Sequence, residues 1–135
     1  WGHDISPEEN QYEAGLNFAI SYKKNINFIG KQALLKIKEK KQTKKFVMLT
    51  LKNSTPGEPL MLHDEPIYVD GKITGRTTSG NYSFNFNKNL AFGYLKIDED
   101  INSLKNKLIE IEIEKKKYSA EILDKPLNQK NYKNS

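Results

Sequence analysis

Apolar positions change their period once along this chain. From Lys31 to Lys40 they recur at helical spacing. Ala33, Leu34 and Ile37 share one stripe, and lysines with Glu39 fill the other faces. Gly30 can open this helix, and Phe28 and Ile29 precede it as a hydrophobic staple does. After Lys44 the period drops to two. Phe46 to Leu51 predicts a strand that is apolar on both faces. Pro66 to Thr74 predicts a hairpin with Asp70-Gly71 at its tip, a pair that suits a type I′ turn. Leu90 to Leu95 predicts a further strand. Ile109, Ile111 and Ile113 alternate with glutamates, and Lys115-Lys116 turns the chain into Tyr118 to Leu123, again strand-like.

The remaining segments are connectors. Ser6-Pro7-Glu8-Glu9 has the order of a capped helical turn, with serine as cap, proline in the first position and acids near the positive end. Tyr12 to Ile20 fits strand and helix alike: Gly15 weakens a helix, and Phe18-Ala19-Ile20 favours an extended end. Asn53 to Pro59 is a turn-rich loop. The last eight residues, NQKNYKNS, form a polar tail. The inventory is five to seven short strands after one helix, with no internal repeat. It predicts a mainly β chain folded as a small antiparallel barrel or two-sheet sandwich.

A length of 135 residues suits one domain with a short appendage. The net charge of +5 rests almost wholly on lysine, because Arg76 is the single arginine. Lysines are dispersed or paired with glutamate, so the charge reads as solvated surface rather than a phosphate grip. There are no cysteines, which excludes disulfides, thiolate metal sites and a cysteine nucleophile. No apolar run approaches the ~20 residues of a membrane span. The start Trp1-Gly2-His3-Asp4 lacks the basic and apolar regions of a signal peptide and suggests that residues preceded it.

Candidate chemistry is sparse. His3 and His63 stand apart from clustered carboxylates and read as surface residues. Thr77-Thr78-Ser79-Gly80 is hydroxyl-rich, but neither a lysine nor a helix follows to complete a phosphate loop. It reads as a strand end whose hydroxyls satisfy backbone groups. Gly71, Gly75 and Gly80 lack dinucleotide spacing, and Ser79 has no histidine positioned beside it. Tyr82, Phe84 and Phe86 alternate on one face of an extended segment. That pattern suits core packing, or base stacking in a nucleic-acid-binding β-barrel.

Several motifs in order carry a resemblance. YEAGL, NFIGKQAL, DGKITGRTTSGNYS and LAFGYL occur in the sequence typical of the C-terminal end of the glycine-cleavage T-protein (aminomethyltransferase) family. WGHDI, FIGKQAL, LTL, TTSGNYS and KPL resemble its FAD-linked dimethylglycine and sarcosine dehydrogenase branch. The likeness runs from Trp1 to about Leu127. It implies three parts: residues 1–44 finish an upstream folate-binding domain and include the helix, residues 45–127 form a Greek-key or jelly-roll-like antiparallel β-barrel, and 128–135 are a tail. It further implies a parent enzyme that oxidises an N-methyl glycine with FAD and passes the one-carbon unit to tetrahydrofolate. In such a parent the catalytic carboxylate and flavin motifs lie upstream, and this chain alone is inactive. A stand-alone aminomethyltransferase is the alternative parent. Carried over by position, Trp1, Asp4, Tyr12 and Glu13 fall at the folate pocket rim, where the lysines Lys23, Lys24 and Lys31 would attract the cofactor's glutamate tail. Thr78, Ser79, Gly80 and Asn81 match structural positions. The expected partners are the upstream folate and flavin domains, with neither nucleic acid nor membrane. The expected compartment is the bacterial cytoplasm, or the mitochondrial matrix in a eukaryote.

Overall fold

Two-residue alternation closes into a cylinder. The computed structural model describes residues 4–16, 29–40, 43–55, 58–59 and 61–123. Helix α1 spans Lys31–Glu39. Six strands follow: β1 Lys44–Leu51, β2 Pro66–Val69, β3 Lys72–Ser83, β4 Lys88–Lys96, β5 Ile109–Ile113 and β6 Lys116–Leu123. Each strand pairs antiparallel with two neighbours, in the closed order β1-β4-β3-β2-β5-β6. Closure leaves no strand edge open to another chain. The run β1-β4-β3-β2 is a Greek key, since three hairpin-linked strands are flanked by one that joins from a long connection.

The alternation sets what lies inside. Val47, Leu49 and Leu51 of β1 meet Ile67, Val69, Ala91, Leu95, Ile109, Ile111, Ile113 and Ala120 in one core. Met61 and Leu104 join the same core, 2% and 1% exposed. Leu104 sits on a 3₁₀ helix, Ile101–Asn106, opened by the Asp100 side chain accepting from the Asn102 N–H. Two glycines let backbones approach. A Cβ on Gly75 would lie 1.8 Å from the Tyr94 carbonyl oxygen, and one on Gly80 would lie 2.6 Å from the Met61 Cβ.

Turn chemistry follows the predicted pattern with small shifts. Asp70 and Gly71 take φ 50° and 80° at the β2–β3 tip, as a type I′ turn requires. At β5–β6 the left-handed pair is Glu114 and Lys115, φ 50° and 65°, one residue earlier than Lys115-Lys116. The loop after β1 is held from inside the fold. Asn89, 3% exposed, donates its amide hydrogens to Ser54 Oγ and to the Thr55 and Glu58 carbonyls.

Three local readings need correction. The helix forms, but no residue of α1 is buried. Ala33 is exposed and Leu34 and Ile37 only half-buried, and Ile29 is fully exposed, so it makes no staple; Phe28 lies outside the described residues. The Thr77–Gly80 run lies in the middle of β3, not at a strand end; Thr77 Oγ1 accepts from the Glu65 backbone N–H, as expected, but it and the Thr78 and Ser79 hydroxyls also donate to carboxylates. Tyr82, Phe84 and Phe86 do not share a strand face: β3 ends at Ser83 and residues 84–87 form the turn into β4. Phe84 is 84% exposed there, edge-on to Tyr82 at 5.0 Å. The aromatic face that motivated a nucleic-acid-binding barrel is therefore absent from these residues.

Candidate functional site

The segment before the barrel is tied to its outer wall by two consecutive capped turns. In the first, Ser6 N–H and Oγ both donate to Glu9 Oε2, at 2.8 and 2.6 Å, while the Glu8 N–H donates to Ser6 Oγ. This is the reciprocal exchange of a capping box, of which the Ser-Pro-Glu-Glu order anticipated the serine cap. The second repeats the logic four residues on. Asn10 Oδ1 accepts from the Tyr12 and Glu13 N–H groups, and the Asn10 N–H donates to Glu13 Oε2 at 3.1 Å. Residues 11–15 are turns, neither strand nor long helix.

Three strands receive this arm. The Phe46 N–H of β1 donates to the Glu13 carbonyl at 2.9 Å. Lys44 at the start of β1 pairs with the Glu9 carboxylate, which is 8% exposed. Thr78 Oγ1 and Ser79 Oγ of β3 both donate to Asp4 Oδ1, at 2.5 and 2.7 Å. Neighbouring strand residues normally point to opposite faces. Here a bulge opposes Thr77 to Gly93 and Ser79 to Phe92, leaving Thr78 as the extra residue. The bulge re-aims Thr78 so that both hydroxyls reach one carboxylate.

Tyr94 of β4 is the hub. Its hydroxyl donates to the Asp4 carbonyl at 2.8 Å. Its ring lies 5.1 Å from Phe46, and the Lys44 ammonium stands 4.7 Å above it. Burial, together with the carboxylates of Glu9, Asp4 and Glu13, pushes its hydroxyl up to about 12. Burial opposes ionisation of Glu9 as well, but the hydrogen bonds from Lys44 and Ser6 overcome it and hold that carboxyl down at about 2. Across physiological pH the tyrosine stays a proton donor and the glutamate a charged acceptor. These are fixed fastenings rather than groups poised to exchange protons.

A groove of about 940 Å³ opens beside the seam, with Glu9, Lys44, Arg76, Thr78, Tyr94 and Lys96 on its walls. Its charges are of both signs: Lys107 at the far wall is bonded to Glu99. Arg76 donates to the Asp64 carbonyl at 2.9 Å. The His63 ring nitrogen contacts Asp64 at 3.2 Å on the surface. Among the described residues no group of three or more His, Cys, Asp or Glu is arranged to hold a metal ion.

Of the expected rim residues, Asp4 and Glu13 converge on the same seam, and both already serve as acceptors within the chain. Tyr12 belongs to the second capped turn. Trp1 lies outside the described residues, as do Lys23 and Lys24. Asp4, Tyr12 and Glu13 are thus all engaged in bonds within the chain. Sequence reasoning passed over Lys44 and Tyr94 and read Glu9 only as an acid of the first turn, not as part of the seam. One signal for Tyr94 was present. In Leu90-Ala-Phe-Gly-Tyr-Leu95, Leu90, Phe92 and Tyr94 share one face and Ala91, Gly93 and Leu95 the other; a strand apolar on both faces needs a second covering layer.

The described residues thus form a closed Greek-key barrel with a preceding arm strapped to its wall. The chain belongs to the glycine cleavage T-protein C-terminal barrel domain family, which matches residues 44–128. It is 37% identical over 127 residues to human "Dimethylglycine dehydrogenase, mitochondrial", a match covering 94% of this chain and 14% of that protein. It is 39% identical over 126 residues to the aminomethyltransferase of Listeria welshimeri, covering 93% of this chain and 33% of that one. Among solved structures, the glycine cleavage system aminomethyltransferase T from Bartonella henselae superposes with a TM-score of 0.73 at 22% identity, over 90% of this chain and 32% of its own. The chain therefore spans a third or less of each of these relatives, and it corresponds to the C-terminal region of dimethylglycine dehydrogenase-like or aminomethyltransferase-like proteins. No helix among the described residues is long and apolar enough to cross a membrane.

Proposed function

We propose that this chain is the C-terminal, folate-side portion of an enzyme that demethylates N-methyl glycines and passes the one-carbon unit to tetrahydrofolate. In this reading FAD belongs to an upstream part of the same polypeptide. Residues 1–44 complete the folate-binding domain, 45–127 form the barrel that closes over it, and 128–135 trail behind. Trp1, Asp4, Tyr12 and Glu13 contribute the rim of the folate pocket, and the isolated chain performs no turnover. The observation that carries the reading is the seam. Asp4, Glu9 and Glu13 fasten the entering arm to β1, β3 and β4, over a stretch that aligns with dimethylglycine dehydrogenase across 94% of the chain.

A second reading has equal support: the C-terminal part of a stand-alone aminomethyltransferase without a flavin, favoured by the 39% identity to the Listeria protein. The experiment that separates them uses the full product of the reading frame. Anaerobic addition of dimethylglycine or sarcosine bleaches a bound flavin in the first reading. A product without flavin that passes the carbon of an aminomethyl donor to tetrahydrofolate, with the amine leaving as ammonia, supports the second. A product that does neither contradicts both.

A further inference from the structure

The barrel's outer wall is divided into two unlike halves. On β5 and β6 it is charged and wet: Glu110 lies opposite Ser119 and Glu112 opposite Lys117. The Lys117 ammonium covers the Tyr68 ring at 4.0 Å. On β1 and β4 the central outward positions are Phe46, Met48, Leu90, Phe92 and Tyr94, an uncharged run bounded at the strand ends by Lys44, Lys88 and Lys96 on the same face. Register places Phe46 opposite Tyr94 and Met48 opposite Phe92. Phe46 and Phe92 stack at 5.3 Å with ring planes 9° apart. This ladder adds nothing to the barrel core, which is complete on the other side of the same strands. Contiguous aromatic and methionine side chains on an outer wall mark a surface that another body covers.

Part of that cover is already visible. The arm of residues 4–16 reaches this wall through the Glu13 carbonyl to Phe46 and the Asp4 carbonyl to Tyr94. Ala14, beside the first of these bonds, is 6% exposed. Phe46, Met48, Leu90 and Phe92 remain only half-buried. The half-buried part of the ladder is continuous with the covered part.

We infer that the outer face of β1 and β4 is the docking surface for the folded portion preceding this chain in its parent polypeptide, which meets it with an uncharged aliphatic or aromatic patch. The inference rests on the reading of the chain as a C-terminal portion. It names the face and excludes the β5–β6 wall.

Hydroxyl-radical footprinting of the full reading-frame product against the 135-residue chain tests it. Oxidation of Met48 and Phe92 is expected to be at least about fivefold slower in the full product, with Tyr68 changing by less than about twofold, as befits a covered interface core and an open wall. Equal oxidation of Met48 in both proteins overturns the inference. So does protection of Met48 in the chain alone that grows with concentration, because the occupant is then a second copy. Met48→Glu in the full product is expected to return Phe92 to the rate seen in the isolated chain, while Glu112→Gln leaves it protected. If Met48→Glu does not fold, the wild-type comparison still decides. Turnover of N-methyl glycines, measured on the same sample, keeps the two claims apart. An active product with unprotected Met48 removes the docking face and leaves the functional reading standing; a protected but inactive product does the reverse.

Discussion

Tyr94 donates its phenolic hydrogen to the Asp4 carbonyl oxygen at 2.8 Å, joining β4 to an arm 90 positions earlier in the chain. The bond is part-buried beside Phe46 and Lys44, so the arm is part of the fold rather than a loose leader. Tyr94→Phe keeps the ring and removes only the donor. Its expected cost is about 1 kcal/mol of stability, with amide exchange of residues 4–16 accelerated about fivefold. Urea unfolding and hydrogen exchange read the two effects; unchanged exchange in the arm contradicts the assignment.

Asp4 and the Thr78/Ser79 pair form one unit, because both hydroxyls share a single carboxylate oxygen. Asp4→Ala is expected to cost about 1–3 kcal/mol, as is the double change Thr78→Ala with Ser79→Ala. Combining all three changes should add little to either. A coupling below about 0.5 kcal/mol in that cycle means that the groups act independently.

The Glu9–Lys44 pair predicts a pH window. The folded carboxyl is depressed to about 2 from an ordinary 4.5. Its contribution is therefore fully present above 4.5 and is lost as the pH falls through about 2. A loss of roughly 1–3 kcal/mol is expected across that window. Glu9→Gln should flatten this part of the stability profile while leaving the barrel strands intact by circular dichroism. A Glu9→Gln profile identical to the wild type between about pH 5 and about pH 2 rules out the pairing.

Asn89 holds the loop after β1 from a position that is 3% exposed. Asn89→Ala leaves the Thr55 and Glu58 carbonyls without their donor. The expected destabilisation is about 2–3 kcal/mol. A loss under about 0.5 kcal/mol, measured by urea titration, implies that the loop is held by other contacts.

Gly75 is where β3 passes nearest to the β4 backbone. A methyl group there meets the Tyr94 carbonyl at 1.8 Å, a backbone atom that cannot swing aside. Gly75→Ala is expected to cost at least about 3 kcal/mol, since the strands must separate to admit it. Thermal unfolding measures it, and a neutral effect argues against this register.

The barrel strands were legible because alternation and turn residues are local signals. Isoleucine and glutamate alternate through Ile109–Ile113, and Asp70-Gly71 specifies its own turn. The Ser6 cap was legible for the same reason, because the turn it closes spans only three positions. The seam was not. Asp4 meets Ser79 across 75 positions, and the bulge that re-aims Thr78 depends on its pairing with β4. No periodicity encodes either. Phe84 and Phe86 misled because alternation continues past Ser83 in the sequence, whereas the chain must turn there to bring β4 beside β3. The helix stripe at Leu34 and Ile37 is a true helical signal, but it says nothing of what covers that stripe.

One assay bears most directly on the central claim, that this barrel completes a one-carbon-transferring enzyme and does not work alone. Tetrahydrofolate is incubated with dimethylglycine or sarcosine plus an artificial electron acceptor, and in parallel with an aminomethyl donor, in the presence of the full reading-frame product or, separately, of the 135-residue chain, and 5,10-methylenetetrahydrofolate is followed. Formation by the full product and none by the isolated chain is the predicted result. Turnover by the isolated chain, or a full product inert toward methylated glycines and aminomethyl donors alike, contradicts the account.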